Sequence, residues 1–476
     1  MQFCLFFDMI VLIDKGEMMK ITKPRSWSIT QRLTLSFAIV ILVGSILLAM
    51  PFSHYANSPD VAYINHLFTA VSMVCVTGLS VVPVADAYNG IGQTISIFLM
   101  QIGGLGLVTL IAISTFFINK KLDVANSSLL QSALNREDNI GLKSYLFFAY
   151  KLTFFIETTA ACIIASDFVP RFGWKNGIFN SIFLAVSAFC NAGFDNFSSS
   201  SLKAFIVNPT INLVICTLII SGGIGFTVWN DIYTIIRNTL TDRPRHFKSF
   251  FRKISHHTRL VLQTTTIILV AGTLITWFLE KDNPKTIGNY HFLQQIMISF
   301  FQTVTMRTAG FATISYTDAL APTNFLYMFQ MIIGGAPGGT AGGIKVTTAA
   351  IIFLLFKAEF SGLSKVTYHF RTISTKTIKQ TTTVAIFFFT VLFIGFLLLI
   401  WVEPEIEPIA LMFESVSAIG TVGVSMDVTP KLSSMGKIII MLLMFMGRVG
   451  PITFLLSLIK GHEKKVNFAE AKILIG

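Results

Sequence analysis

At 476 residues, 53% hydrophobic and only 13% charged, the chain carries too few charges to cover a soluble protein of its size. Its net charge of +12 would suit a nucleic-acid ligand, but no aromatic–basic module accompanies it and its placement follows the apolar segments. Lipid must therefore be part of the solvent, and the protein is integral to a membrane.

The first twenty residues, MQFCLFFDMIVLIDKGEMMK, lack a basic region before the apolar run and a small-residue cleavage site, so they make a poor signal peptide. They read as an interfacial helix, or as residues upstream of a start at Met18 or Met19. Segments 33–50 and 260–279 are uncharged runs of 18 and 20 residues, long enough for a helix to cross about 30 Å of hydrocarbon. Further candidate spans are 95–118, 145–165, 204–230, 322–356, 381–402 and 438–459. If the chain alternates sides, 26 of the 36 Lys and Arg fall at the N-terminus, in loops 119–151, 232–259 and 357–380, and after residue 459. Seven fall on the other side. That asymmetry places both termini in the cytoplasm. The five cysteines form no CxxC or Cys/His cluster, so neither a metal site nor a disulfide framework is expected.

Between these spans lies a repeated half-span. It reads FTAVSMVCVTGLSVV from Phe68, FLAVSAFCNAGFDNF from Phe183, FQTVTMRTAGFATI from Phe301 and FESVSAIGTVGVSM from Phe413. Three copies place a glycine ten positions after the Phe; the third places it nine after Phe301, or ten after Phe300. A Val-Ser or Val-Thr pair recurs inside each copy. The span that follows each copy carries a glycine feature: GGLG at Gly103, GGIG at Gly222, GGAPGG at Gly334 and GRVG at Gly447. The unit is thus span, half-span, glycine-centred tail, and span with a glycine break, with approximate limits 34–119, 145–232, 258–357 and 381–460.

A half-span constrains its backbone. Non-helical chain at membrane depth survives only when buried in protein or lining water. Phe183 to Phe189 makes about two helical turns whose C-terminus, carrying roughly half a negative charge, favours a nearby cation. The chain then turns at Gly193 and returns extended, exposing carbonyl oxygens. Four such loops about an axis make rings of carbonyls that replace an ion's water shell. Four re-entrant packing loops without a pore are the plainer alternative.

On these motifs the chain resembles the ion-translocating subunit of the Trk/Ktr/HKT potassium transporter superfamily. VTGLS at Val76, NAGF at Asn191, RTAGF at Arg307 and GTVGVS at Gly420 resemble its filter signatures; GGAPGGTAGGIK from Gly334 and GRVGP from Gly447 resemble its third and fourth inner helices. One motif alone is unspecific; four in order, with the glycine-rich break, are specific. The likeness covers about 34–460, and eight visible spans favour the Ktr-like branch. It implies an all-α polytopic membrane protein with eight transmembrane helices in four pseudo-repeats of helix, pore loop and helix around one central pore.

The division along the chain is then a cytoplasmic segment 1–33, pore repeat 1 at 34–119, linker and repeat 2 at 120–232, linker and repeat 3 with a gating loop at 233–357, linker and repeat 4 at 358–460, and a tail at 461–476. The filter would comprise Val76, Thr77, Gly78 and Leu79; Asn191, Ala192, Gly193 and Phe194; Thr308, Ala309, Gly310 and Phe311; and Thr421, Val422, Gly423 and Val424. In the family a serine in the first filter position goes with sodium permeation and glycine with potassium, so the four glycines point to potassium, bound only at the filter. The likeness also implies a homodimer in the cell membrane and a separate cytoplasmic nucleotide-binding ring, since this chain has no GxGxxG after a strand. No cofactor is expected on the chain itself.

Six glycines and a proline in ten residues cannot continue a helix. Gly334, Gly335, Ala336, Pro337, Gly338, Gly339, Thr340, Ala341, Gly342 and Gly343, with Lys345 and Arg448, are read as the gate; a mere kink is the alternative. Arg307, Lys345 and Arg448 are basic residues at membrane depth, with Glu157 and Glu414 their acidic counterparts; each needs a pore or a partner there. Arg448 either faces the cavity and contacts the glycine-rich loop or pairs with a carboxylate at a helix interface. Arg307 and Glu414 are a candidate ion pair between the third and fourth units, and Glu157 is read as a structural hydrogen-bond partner. The expected function is potassium uptake, with sodium dependence open and a secondary carrier of sodium or another solute as the alternative. An enzyme is not expected, because the eight histidines lie in loops or flanks, with no catalytic cluster at depth.

Overall fold

The computed structural model describes residues 29–55, 61–106, 142–197, 201–241 and 253–450. Residues 1–28 of the expected N-terminal segment 1–33, the end of the second expected span with most of the first basic linker (107–141), part of the second linker (242–252), the end of the last span and the tail lie outside these residues. The fold is mostly helical. In order come α1 (Ile29–Ala49), α2 (Tyr63–Val74), α3 (Val84–Ala87), α4 (Gly90–Leu105), α5 (Leu142–Cys190), α6 (Pro209–Ile224) and α7 (Phe226–Thr241). There follow α8 (His256–Glu280), α9 (Phe292–Thr305), α10 (Ala321–Ile332), α11 (Val346–Phe360), α12 (Thr375–Val402), α13 (Pro408–Gly420) and α14 (Ser434–Val449).

Among the described residues three helices are long and apolar enough to cross a membrane: Ser144–Cys190, His256–Glu280 and Thr375–Val402. Large apolar side chains such as Phe154, Ile267, Phe353 and Trp401 stand exposed on them and their neighbours, as suits a lipid-facing surface. Among the described residues, five helices begin at a side-chain cap: Asn89, Asn208, Ser255, Ser374 and Ser433 each accept a hydrogen bond from the first turn. These caps satisfy amides that would otherwise be orphaned, each contributing about 1 kcal/mol.

Packing between elements is cyclic. α4 packs on α5, α6 on α9, α10 on α13, and α14 returns to α2. Each helix that follows a half-span therefore lies against the half-span helix of the next unit.

Three expected spans are bent or interrupted. The third span and the half-span after it are two helices that meet at a kink at Gly173 (φ 78°), and α5 takes in both. The second half-span helix therefore runs on to Cys190 and is longer than two turns. Segment 204–230 is not straight: α6 and α7 meet at Gly225 with a 94° bend. Segment 322–356 is two helices, α10 and α11, joined by non-helical chain. The breaks at Gly225 and in 334–343 fall in glycine motifs that the sequence displays, whereas Gly173 stands in no such motif. In the basic loop after α11, β1 (Thr367–Tyr368) pairs antiparallel with β2 (Arg371–Thr372). Its two turn residues, His369 and Phe370, have φ 44° and 62°, as a tight hairpin needs.

Candidate functional site

The four half-spans share one backbone form. Each helix is followed by a non-glycine residue with positive φ, then a residue without it, then a glycine with positive φ. The pairs are Val76 (55°) and Gly78 (102°), Asn191 (57°) and Gly193 (71°), Thr308 (63°) and Gly310 (83°), and Thr421 (52°) and Gly423 (97°). Left-handed backbone is costly for the non-glycine residues, so four copies at one offset mark an over-determined structure. An alternating hand turns successive carbonyls toward one side, where an ordinary strand would point them alternately.

These turns close into a ring. A Cβ on Gly78 would stand 2.9 Å from the Ala192 carbonyl oxygen; on Gly193, 2.6 Å from that of Ala309; on Gly310, 2.6 Å from that of Val422. On Gly423 it would overlap the Thr77 carbonyl oxygen, completing the circle. Every glycine thus abuts the carbonyl preceding the glycine of the next unit. A side chain at any of the four meets backbone that has nowhere to move.

The Val-Ser and Val-Thr pairs acquire a physical reason that the sequence reading missed. Ser72 Oγ accepts from the Gly78 amide at 3.1 Å, Ser187 Oγ from that of Phe194 at 2.9 Å, and Ser417 Oγ from that of Gly423 at 3.0 Å. In the third unit Thr305 Oγ1 donates to the Phe311 carbonyl at 2.8 Å. The recurring offset was the available signal; the hydroxyl's target was not.

Beyond the glycines lies a cavity of about 260 Å³ lined by all four of them and by the segments that follow, including Leu79, Phe194 and Val424. On its wall stand Asp195, Asp427 and Lys203. On the opposite side of the ring, Thr77, Thr308 and Thr421 hold buried hydroxyls with no protein partner.

Under the ring the inner spans approach closely. A Cβ on Gly103, Gly222 or Gly447 would overlap the carbonyl of Val74, Phe189 or Ile419 respectively, each four residues before the filter glycine. The helices then end at the last glycine of each motif: Gly106 (φ 82°, ψ 131°), Gly225 (92°, 142°) and Gly450 (90°, 138°). The motif has two functions, close packing first and breaking second.

The third unit departs from this rule. Pro337 stands where the breaking glycine would be, and the chain runs as a loop to Lys345 before α11 resumes. The loop is pinned on all sides. Gly334 N donates to Ile344 O (2.9 Å), Ala336 N to Gly223 O (2.8 Å), and Phe226 N to Gly338 O (3.2 Å). Thr340 donates its hydroxyl to Phe189 O at 3.1 Å and also bonds Asn191 Oδ1 at 3.2 Å. Gly342 packs against Thr421. Ala336, Thr340, Ala341 and Ile344 are buried.

All three embedded basic residues converge here. Arg448 donates to the carbonyls of Thr340, Gly103 and Gly104. Arg307 donates to Gly334 O at 3.3 Å and Thr265 Oγ1 at 3.5 Å, and Lys345 to Ala341 O at 2.6 Å. Arg448 therefore contacts the loop and has no carboxylate partner among the described residues. The expected Arg307–Glu414 pair is absent: Arg307 reaches the loop, whereas Glu414 accepts from Thr429. Glu157 accepts from Gln101 at 3.4 Å, a structural link between α4 and α5. Among the described residues no three His, Cys, Asp or Glu side chains group to hold a metal ion.

Comparison with known proteins gives these features a context. The family model described as a cation transport protein, TrkH, matches residues 4–470. Ktr system potassium uptake protein B of Bacillus subtilis is 34% identical over 96% of this chain and 99% of its own. Potassium/sodium uptake protein NtpJ of Enterococcus hirae is 35% identical over 94% of this chain and 97% of its own. Among solved structures, the potassium transporter TrkH from Vibrio parahaemolyticus superposes with a TM-score of 0.73 at 16% identity, covering 92% of this chain and 86% of that one.

Proposed function

The chain belongs to the TrkH family of cation transport proteins, and we propose that it takes up potassium across the cell membrane through the ring of four glycine turns. The observation that carries this reading is the closed circuit in which each glycine abuts the next unit's carbonyl. Backbone carbonyls gathered on an axis replace an ion's hydration shell, and the half-span helices aim their negative ends at the same place. The outer cavity collects hydrated ions, and the unpartnered hydroxyls of Thr77, Thr308 and Thr421 receive them on the inner side.

In this reading the chain has eight spans in four pseudo-repeats, bounded as the sequence suggests, with both termini cytoplasmic, and it works as a homodimer on a nucleotide-binding regulatory ring. The 334–344 loop is the gate. Its glycines permit more than one backbone state, and three basic side chains beside it oppose cations while it lies under the ring. A regulatory subunit acts by loosening the carbonyl ties to Arg448, Arg307 and Lys345.

The test is potassium uptake in a transport-deficient cell with sodium present and absent. Uptake of potassium supports the reading, and its dependence on sodium decides the coupling. Sodium transport by the same ring is the second reading, favoured by the name of the Enterococcus relative; sodium uptake that potassium does not suppress would select it. A cysteine at Ser364 should resist impermeant reagents added outside intact cells, and labelling there would invert the topology.

A further inference from the structure

One buried carboxylate serves neither the ring nor the loop. Glu414 follows Phe413 on α13 and is fully buried. Its Oε1 accepts from Thr429, whose hydroxyl also lies 3.3 Å from Ser425 Oγ, and Oε2 has no partner among the described residues. Asp427, exposed on the cavity wall, stands two residues before Thr429, and neither carboxylate forms an ion pair with a described Lys or Arg. The equivalent place in the third unit shows what is missing. Gln302, which follows Phe301, donates to Thr313 Oγ1 at 2.7 Å and accepts from Tyr316 at 2.9 Å. Both ends of the amide are satisfied. A carboxylate at this place offers only acceptors, so one oxygen is left over.

Burying an unpaired carboxylate is costly unless a positive partner supplies what water did. Ser425, Asp427 and Thr429 line the outer cavity together with Gly423, so cations arriving at the ring pass this wall. We propose that Glu414, Ser425, Asp427 and Thr429 form an accessory site for a hard cation of sodium or calcium size, separate from the filter. The donor set contains oxygen alone, which suits such ions and not the softer transition metals. A bound cation neutralises two like charges and ties α13 to the segment leaving Gly423, fixing the outer end of the fourth filter turn.

The test uses the purified full chain at saturating potassium, so that the filter is filled. Thermal unfolding is followed with sodium or calcium chloride against choline chloride at matched ionic strength. Wild type should gain about 3 °C or more with sodium or calcium. Glu414→Gln, which borrows the third unit's residue and keeps the bond from Thr429, should fold and lose that gain, and Asp427→Asn should reduce it. No gain in wild type, or an equal gain in both variants, overturns the proposal. So does a Glu414→Gln protein matching wild type in every salt, the outcome expected of a carboxyl that simply holds a proton. The readout does not depend on transport. A chain that takes up no potassium yet shows the carboxylate-dependent gain would sink the uptake reading and leave this site standing.

Discussion

The four filter turns and the four inner-helix breaks are built from the same residue, glycine, but obey opposite rules. The turns are alike in every unit: left-handed residue, then glycine, in contact with the next unit's carbonyl. The breaks are alike in three units and different in one, where Pro337 and a long loop replace a single glycine. A ring requires equivalence, because each member is its neighbour's wall. The 334–344 loop belongs to one unit alone, so it has no counterpart to match. Departure from the repeat is therefore as informative about function as the repeat itself.

The strongest way to break this comparison is to make the ring unequal. Gly423→Ser places its Cβ on the Thr77 carbonyl, whereas Gly78→Ser meets that of Ala192 at 2.9 Å; both also force a side chain into positive φ. Gly423→Ser should lower potassium uptake more than tenfold. Gly78→Ser should keep measurable uptake and lose preference for potassium over sodium. Paired uptake assays with both ions check this, and an unchanged ion ratio in Gly78→Ser would remove that glycine from the filter.

The next effect comes from making the third break resemble the others. Deleting 336–339 removes the ties from Ala336 to Gly223 and from Phe226 to Gly338. Flux should rise several-fold and respond less to the regulatory subunit, with selectivity nearly intact, because the ring lies on the other side of the loop. Lost uptake in a folded, inserted protein would make the loop a brace instead of a gate.

Sequence made one of these regions more legible than the other. The ring was readable because four aligned motifs repeat one offset, and the backbone follows the offset. The loop's location was readable from its composition, since no helix tolerates it. What holds the loop was not, because Arg448 comes from a different unit than Arg307 and Lys345, and nearly all their targets are backbone carbonyls, which have no letter in a sequence. The same blindness suggested an Arg307–Glu414 pair: opposite charges invite pairing on paper, but Arg307 reaches Gly334 and Thr265 while Glu414 reaches Thr429. Gly225 was visible as a break, yet nothing local set its 94° bend.

A smaller change tests the electrostatic half of the gate. Arg448→Gln keeps a donor for one carbonyl but loses the fork that joins Thr340 to Gly103 and Gly104. Basal flux should rise by two- to fivefold, about 0.4–1 kcal/mol on the free-energy scale of rates, with no change in the potassium-to-sodium ratio. A changed ratio with unchanged flux would move Arg448 from the gate to the support of the filter.

The smallest expected effect sharpens the claim that the turns are equivalent, since their braces differ in one detail. Ser417 accepts from the Gly423 amide, whereas Thr305 donates to the Phe311 carbonyl. Ser417→Ala leaves a buried amide without an acceptor, and an amide has one hydrogen and no second route to a partner at that depth. Thr305→Val leaves a carbonyl with two lone pairs, which an ion or water on the axis can still occupy. A single such bond is worth about 0.5–1.5 kcal/mol net, and the unsatisfied group costs more than the bond. Ser417→Ala should therefore lower the unfolding midpoint and cut potassium selectivity by about threefold. Thr305→Val should do less to both, and its deficit should shrink as potassium is raised, because the ion competes for the freed oxygen. Equal losses that potassium does not relieve would mean that the Phe311 carbonyl faces protein, and that the third turn contributes its glycine but not that oxygen to the ion's path.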